Sequence, residues 1–145
     1  MTGDSAASAL DLAVAALASR PWLAAMGVEI VLAEAGRAVL RLPMEKPGDA
    51  VDPAHGGFDR GIVMVLGDAA GWLCVVGGVV DRRNVRTLGI TCDLVAATSV
   101  PAMLTADATV VRRGRSLSVV HSKVMAADTS GARQPIGLVQ ATYAL

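Results

Sequence analysis

The sequence is poor in aromatic side chains, in histidine and in cysteine. Only one Phe, one Tyr and two Trp occur among 145 residues, and 13 basic residues balance 13 acidic ones. A chain with no net charge and few rings on which bases could stack is not expected to bind nucleic acid. The two cysteines, Cys74 and Cys92, form no CxxC pair or Cys/His cluster. We therefore expect no structural metal site, and a reduced, cytoplasmic protein fits best.

One long apolar segment is present and could be mistaken for a membrane span. The 20 residues from Gly61 to Val80 contain a single charge, that of Asp68. This length could cross a bilayer. A lone Asp at the bilayer centre costs about 3 kcal/mol, however, and the glycines of the segment weaken a helix. A buried helix of a soluble domain is therefore favoured, and no membrane partner is expected.

Apolar periodicity and turn signals predict the order of the remaining elements. The length of the chain allows one domain, residues 21–145, preceded by an N-terminal helix within residues 1–20. Pro21 ends that helix, and a loop is expected at residues 21–23. One antiparallel sheet wrapped around one apolar helix accounts for all elements, which makes the fold class α+β. The predicted elements are a helix at 5–18, strands at 27–33 and 37–42, a buried helix at 62–76, and strands at 87–95, 102–112, 116–126 and 135–144.

Small residues surround the single charge of the apolar helix. Gly61 precedes Asp68 by seven positions, Leu66 precedes it by two, and Ala69-Ala70-Gly71 follow it. Together with the strand order, this pattern resembles the hotdog fold and, more closely, the PaaI-like acyl-CoA thioesterases of the 4-hydroxybenzoyl-CoA thioesterase superfamily. The resemblance extends from about residue 22 to residue 145. It implies hydrolysis of an acyl-CoA to free acid and CoA by a homodimer or a dimer of dimers, without metal or organic cofactor.

The His-Gly-Gly motif of that family can be placed in two registers. The literal motif, His55-Gly56-Gly57, lies four residues early relative to Asp68. In the other register Gly61 is the second glycine, and Asp59 and Arg60 stand at the His and first Gly positions. We favour the second register because helix geometry fixes the spacing to Asp68, whereas loop lengths vary easily.

Thioester hydrolysis requires an attacking water or carboxylate and a donor for the oxyanion that develops on the carbonyl. Asp68 can act as general base or as nucleophile. An amide at the helix start, from Gly61 or its neighbour, is a candidate oxyanion donor because the first N–H groups of a helix have no intrahelical partner. About 10 Å of helix rise separates the two groups. Both can therefore act on one carbonyl only if they come from two chains, which predicts a homodimer.

The resemblance implies roles for further residues. Thr87 would orient the attacking water, and His55 is a second candidate base. Arginine side chains suit the phosphates of CoA, although a solvated charged surface is an alternative explanation for them, as core packing is for Trp72. The candidate substrate-binding residues are Asp52, Arg60, Trp72, Arg86, Arg113, Gly114, Arg115 and Ser116.

Two other functions remain compatible with the sequence. Hotdog dehydratases and hydratases pair a His with an acidic residue, and His55 and Asp68 qualify by residue type. A non-catalytic acyl-CoA-binding module would also retain this fold with an altered His-Gly-Gly motif. The acyl group is not fixed by the sequence, since pocket shape determines it.

Overall fold

The structure is a computed structural model that describes residues 8–44, 54, 59–78, 84–98 and 101–145. Within these ranges the chain forms three helices and six strands, and all but α2 match the predicted order. Their bounds are α1 (Ala9–Ala18), α2 (Pro21–Ala25), β1 (Glu29–Glu34), β2 (Arg37–Pro43), α3 (Gly61–Val76), β3 (Arg86–Leu94), β4 (Met103–Arg113), β5 (Leu117–Ala127) and β6 (Arg133–Ala144).

The six strands form one antiparallel sheet in the order β1-β2-β4-β5-β6-β3, and α3 packs against one face of it. Buried and exposed residues alternate along the central strands, as expected when one face is covered. Small residues such as Ala38, Ala106 and Ala108 are fully buried on the covered face, where they let the helix approach closely. The predicted α+β arrangement, a sheet around one apolar helix, is confirmed.

Helix α3 is the centre of the core. Of its 16 residues, 11 are buried. The carboxylate of Asp59 accepts a hydrogen bond from the Gly61 amide at 2.8 Å, which satisfies the first amide of the helix. At the other end, the guanidinium of Arg113 donates to the carbonyl groups of Gly78 and Val75. A cation at this end also interacts favourably with the helix dipole.

Two glycines one turn apart let β6 lie directly against α3. A Cβ at Gly67 would lie 2.6 Å from Cγ2 of Val139, and a Cβ at Gly71 would lie 2.4 Å from the hydroxyl oxygen of Tyr143. The buried hydroxyl of Ser122 donates to the carbonyl of Gly67 at 2.8 Å. The glycines in this helix, which weaken it on propensity alone, are therefore required by its packing.

The N-terminal residues differ from expectation at one point. Helix α1 begins after Ser8, which forms a capping box with Asp11; residues 5–7, included in the predicted helix, lie outside the described residues. Residues 21–23, predicted as a loop, begin the short helix α2, with Pro21 at its first position. The prediction was wrong because proline ends a helix that precedes it but is well suited to the first turn of the next one.

No helix in the described ranges is long and apolar enough to cross a membrane.

Candidate active site

Asp68 is half-buried on α3 and accepts hydrogen bonds from two neighbouring strands. Thr87 Oγ1, on β3, donates to Asp68 Oδ1 at 3.0 Å. The Tyr143 hydroxyl, on β6, lies 2.9 Å from the same oxygen. Both donors converge on Oδ1, and Oδ2 has no hydrogen-bond donor among the described residues. Within the described part of the chain the carboxylate is therefore held through one oxygen only.

Tyr143 is fully buried, at 0% exposure, and is the one tyrosine of the chain. Its hydroxyl also lies 2.9 Å from the backbone carbonyl oxygen of Asp68. Burial, and then the negative charge of Asp68, raise the pKa of Tyr143 well above its usual range. The phenol thus stays neutral and acts as a donor. Sequence reasoning missed this residue; the signal was a lone tyrosine on the buried side of a strand, because buried tyrosines need a hydrogen-bond partner.

Asp68 lies on the side of α3 where the exposed and half-buried residues of the helix cluster, called the open side below. Gly61 and Met64 are exposed, and Val65 and Asp68 are half-buried, whereas most of the other residues of α3 are buried. Positions 61, 64 and 68 follow a spacing of three, four and seven, so they share one side of the helix. A substrate can approach Asp68 along this side.

Trp72, predicted to line the substrate site, is buried one turn after Asp68. Its indole N–H donates to the carbonyl of Val85 at 3.2 Å, just before β3 begins. The guanidinium of Arg20 stacks over the Trp72 ring at 3.9 Å from its centroid. Trp72 thereby anchors the start of the strand that carries Thr87, and Arg20, which the sequence did not single out, covers the indole from the side of α2.

The helix start differs from expectation. The Gly61 amide was expected to be unpaired and ready to bind an oxyanion, but it donates to the Asp59 carboxylate. Asp59, at the position of the family histidine in the favoured register, thus occupies the candidate donor. Arg60 follows in a helical conformation and is exposed. An oxyanion can reach the Gly61 amide only if the Asp59 side chain turns away, since two negative charges repel.

The arginines predicted to bind CoA fall into two groups. Arg113 caps the C-terminal end of α3, so its guanidinium is already engaged, contrary to its expected role. Arg115 and Ser116 are exposed at the tip of the β4–β5 hairpin, where the Gly114 amide donates to the carbonyl of Leu117 at 2.7 Å. These tip residues remain candidates because their side chains face solvent.

Strand register places this hairpin at the same end of the sheet as Asp68. Ser118 on β5 pairs with Tyr143, which pairs with Thr87 on β3. In the next row Leu117 pairs with Ala144, which pairs with the exposed Arg86. Arg86 and the hairpin tip therefore lie about 10 Å apart, two strand spacings, at the end of the sheet where both donors to Asp68 are found.

Several predicted site residues lie outside the described residues. These include His55 and Asp52, so neither the literal His-Gly-Gly register nor the proposed binding role of Asp52 is tested. Among the described side chains, no three His, Cys, Asp or Glu come close enough together to hold a metal ion.

A concavity of about 610 Å³ lies on the face of the sheet opposite α3. An Arg37–Asp107 ion pair at 2.9 Å and a contact of 2.8 Å between His121 and Gln140 form part of its lining. Strand alternation directs these side chains away from the helix, so the concavity is separated from Asp68 by the sheet.

A protein-family model matches this chain. A family model described as the thioesterase superfamily matches residues 60–132, a half of the chain that includes Asp68, Thr87 and the β4–β5 hairpin. The chain belongs to the thioesterase superfamily. A search of curated proteins gave no match.

Solved structures place this thioesterase-superfamily chain with the PaaI proteins in fold. A thioesterase family protein from Silicibacter pomeroyi is 22% identical with a TM-score of 0.83, and the match covers 94% of this chain and 97% of that one. The PaaI protein of the phenylacetic acid degradation operon of E. coli is 17% identical with a TM-score of 0.76, covering 94% and 91%. A mutant of the phenylacetic acid degradation protein PaaI from Thermus thermophilus is 22% identical with a TM-score of 0.72, covering 86% and 97%. The predicted hotdog fold and PaaI-like resemblance are confirmed.

Proposed function

We propose that this chain hydrolyses acyl-CoA thioesters to a free acid and CoA. Membership in the thioesterase superfamily supports thioester chemistry. The observation that carries the proposal is the state of Asp68: the residue is half-buried, its Oδ1 accepts from Thr87, and its Oδ2 has no hydrogen-bond donor among the described residues. A carboxylate so held can activate water or attack a carbonyl, and no cofactor is needed for either step.

Two routes from Asp68 are chemically complete. As general base, Oδ2 takes a proton from water while the water oxygen bonds to the acyl carbon; the C–S bond then breaks, and the proton passes to the CoA thiolate. As nucleophile, Oδ2 bonds to the acyl carbon and expels CoA thiolate, and water then cleaves the mixed anhydride. A single turnover in H₂¹⁸O that places ¹⁸O in the Asp68 carboxyl group would establish the nucleophilic route with water attacking the Asp68 carbonyl of the anhydride, because the general-base route never bonds the water oxygen to Asp68.

The proposed oxyanion donor is a helix-start amide near Gly61 supplied by a second copy of the chain. Since Asp59 now accepts from that amide, Asp59→Ala should free it and remove a negative charge beside the developing oxyanion. We expect kcat to rise severalfold while stability falls by about 1 kcal/mol from the lost cap. A kcat that is unchanged or lower would exclude the Gly61 amide as donor.

The second copy is proposed to pair along β3. This strand is at the edge of the sheet, and eight of its nine residues are exposed, among them Leu88 and Leu94. A long apolar edge strand is an exposed template for pairing with another chain. Leu94→Lys should therefore give a monomer without activity, whereas Val31→Lys, similarly exposed on β1 at the opposite edge of the sheet, should leave the dimer and the activity intact. Light scattering after gel filtration and a thiol-release assay provide both readouts.

The activity itself is tested with acetyl-, hexanoyl-, palmitoyl- and benzoyl-CoA and detection of free thiol. We expect turnover of at least one of these, and a loss of at least about a hundredfold in Asp68→Asn, which keeps the size of the side chain but cannot accept the proton. Full activity in Asp68→Asn would refute the mechanism. CoA binding without thiol release would indicate a binding module, and hydration of an enoyl-CoA would indicate the dehydratase class.

A further inference from the structure

We infer that Tyr143 is a positioning residue for this reaction: its hydroxyl fixes the Asp68 carboxylate so that Oδ2 is the reacting oxygen in each turnover. The inference rests on the proposed function for its kinetic consequence. The contact itself does not depend on that function, and it can be tested separately.

The geometry defines which oxygen is held. Tyr143 Oη and Thr87 Oγ1 approach Asp68 Oδ1 at 2.9 and 3.0 Å. The two oxygens of a free carboxylate exchange places by rotation about one bond. A single donor therefore does not keep the same oxygen in the accepting position. The single proton of the Tyr143 hydroxyl has two acceptors at 2.9 Å, Asp68 Oδ1 and the Asp68 backbone carbonyl oxygen, and the charged carboxylate oxygen is the stronger one. Together with Thr87 on β3, this donor on β6 fixes the plane of the carboxylate as well as the oxygen that accepts.

The contact is built into the packing of the fold. The Tyr143 hydroxyl occupies the space that a side chain at position 71 would fill, since a Cβ there would be 2.4 Å away. The ring is fully buried, and a buried phenol left without a partner is costly. The absence of a side chain at Gly71 gives the Tyr143 hydroxyl access to the helix.

The protonation state of the phenol suits this role. Burial and the nearby Asp68 charge raise the pKa of Tyr143 well above its usual range, so the hydroxyl is a donor at neutral pH. Cys74, six residues after Asp68 on α3, also stays neutral because burial raises the pKa of its thiol to about 12. Among the described residues, the donors on Oδ1 are thus neutral hydroxyls, which orient the carboxylate without neutralising it.

The kinetic test removes one oxygen atom. In Tyr143→Phe we expect kcat for the best substrate of the acyl-CoA panel to fall about tenfold to a hundredfold, the factor that corresponds to one hydrogen bond to a charged group. KM should stay within about twofold, because Tyr143 is fully buried. Ser122→Ala is the matched control: it removes a buried hydroxyl that donates to α3 at Gly67 but does not touch the carboxylate, and it should leave kcat within about twofold.

An NMR measurement tests the contact between Tyr143 and Asp68 independently of catalytic activity. Because the chain has one tyrosine, protein labelled with ¹³Cζ-tyrosine gives one assigned ring carbon. We expect its resonance at pH 7 to differ between wild type and Asp68→Asn, since a phenol that donates to a charged carboxylate is more polarised than one that donates to an amide. In Ser122→Ala the resonance should match wild type.

The outcomes separate this inference from the proposed function. Identical resonances in wild type and Asp68→Asn, or a Tyr143→Phe variant with the kcat of Ser122→Ala, would overturn the positioning role of Tyr143. A resonance that responds to Asp68→Asn in a protein inactive on the whole panel would refute the proposed function and leave the contact established.

Discussion

Gly71→Ala is a direct test of how closely α3 and β6 pack. In an ordinary helix this substitution stabilises by about 1 kcal/mol, because alanine loses less backbone entropy than glycine. Here the added methyl carbon would lie 2.4 Å from the Tyr143 hydroxyl oxygen and 3.2 Å from its ring carbon Cζ. Both distances are too short for unchanged coordinates, so either the helix or the ring has to move.

The structure gives the magnitude of the effect. Tyr143 is fully buried, and forced overpacking of a core costs about 1–3 kcal/mol. If the ring retreats, its hydrogen bond to the charged Asp68 is lost as well, at about 1.5–3 kcal/mol. After the gain in helix propensity we expect a net destabilisation of about 3 kcal/mol, which lowers the melting midpoint of a chain of this size by roughly 10 °C.

The assay is urea denaturation followed by circular dichroism, at one protomer concentration so that association does not change between variants. Gly71→Ala is also made in the Tyr143→Phe variant, because that variant lacks the oxygen nearest to the new methyl group. In that background Gly71→Ala should cost less by about 2 kcal/mol, a coupling typical of residues in direct contact. Equal stabilisation of about 1 kcal/mol in both backgrounds would refute the close approach of Tyr143 to the helix.

Three further predictions concern the neighbours of the site. Thr87→Val keeps the shape of the side chain but removes one donor to the candidate carboxylate, so kcat should fall about tenfold in thiol-release assays with KM little changed. Arg113→Leu should lower stability by about 1 kcal/mol through loss of the helix cap without affecting KM, whereas Arg115→Ala should raise KM for acyl-CoA and leave urea stability unchanged; the reverse pattern would contradict the assignment. Alkylation by iodoacetamide at pH 8, followed by mass spectrometry, should label Cys92 before Cys74, because burial raises the pKa of the Cys74 thiol to about 12 and keeps it protonated far above pH 8.

Much of the fold could be predicted from local signals. Alternation along β4 and β5 and the tight turn at Gly36, whose φ is +85°, depend on neighbours in sequence, so the predicted strand bounds differ from the observed ones by two residues or fewer. Pro21 was predicted to end a helix but begins one, because proline at the first position of a helix cannot be distinguished in sequence from proline that follows a helix end.

The candidate site was predictable only in part. Asp68 and Thr87 were found because a charge in an apolar helix is conspicuous and the family pattern covers both. Tyr143 is 75 positions from Asp68, and only the register of β6 against α3 brings the two together. The occupation of the Gly61 amide by Asp59 depends on a side-chain torsion at a helix start, which no periodicity encodes.

The two sides of α3 also differ in how much sequence change they can absorb. On the side toward β6, Gly67 and Gly71 leave no room for even one methyl group. On the open side Met64 is 39% exposed, and its replacement disturbs little packing within the subunit. We therefore expect amino-acid substitutions to be tolerated at position 64 and to be selected against at positions 67 and 71. Under the proposed function, related enzymes acquire new acyl preferences through the open side while the geometry of the candidate carboxylate, Asp68, is inherited unchanged.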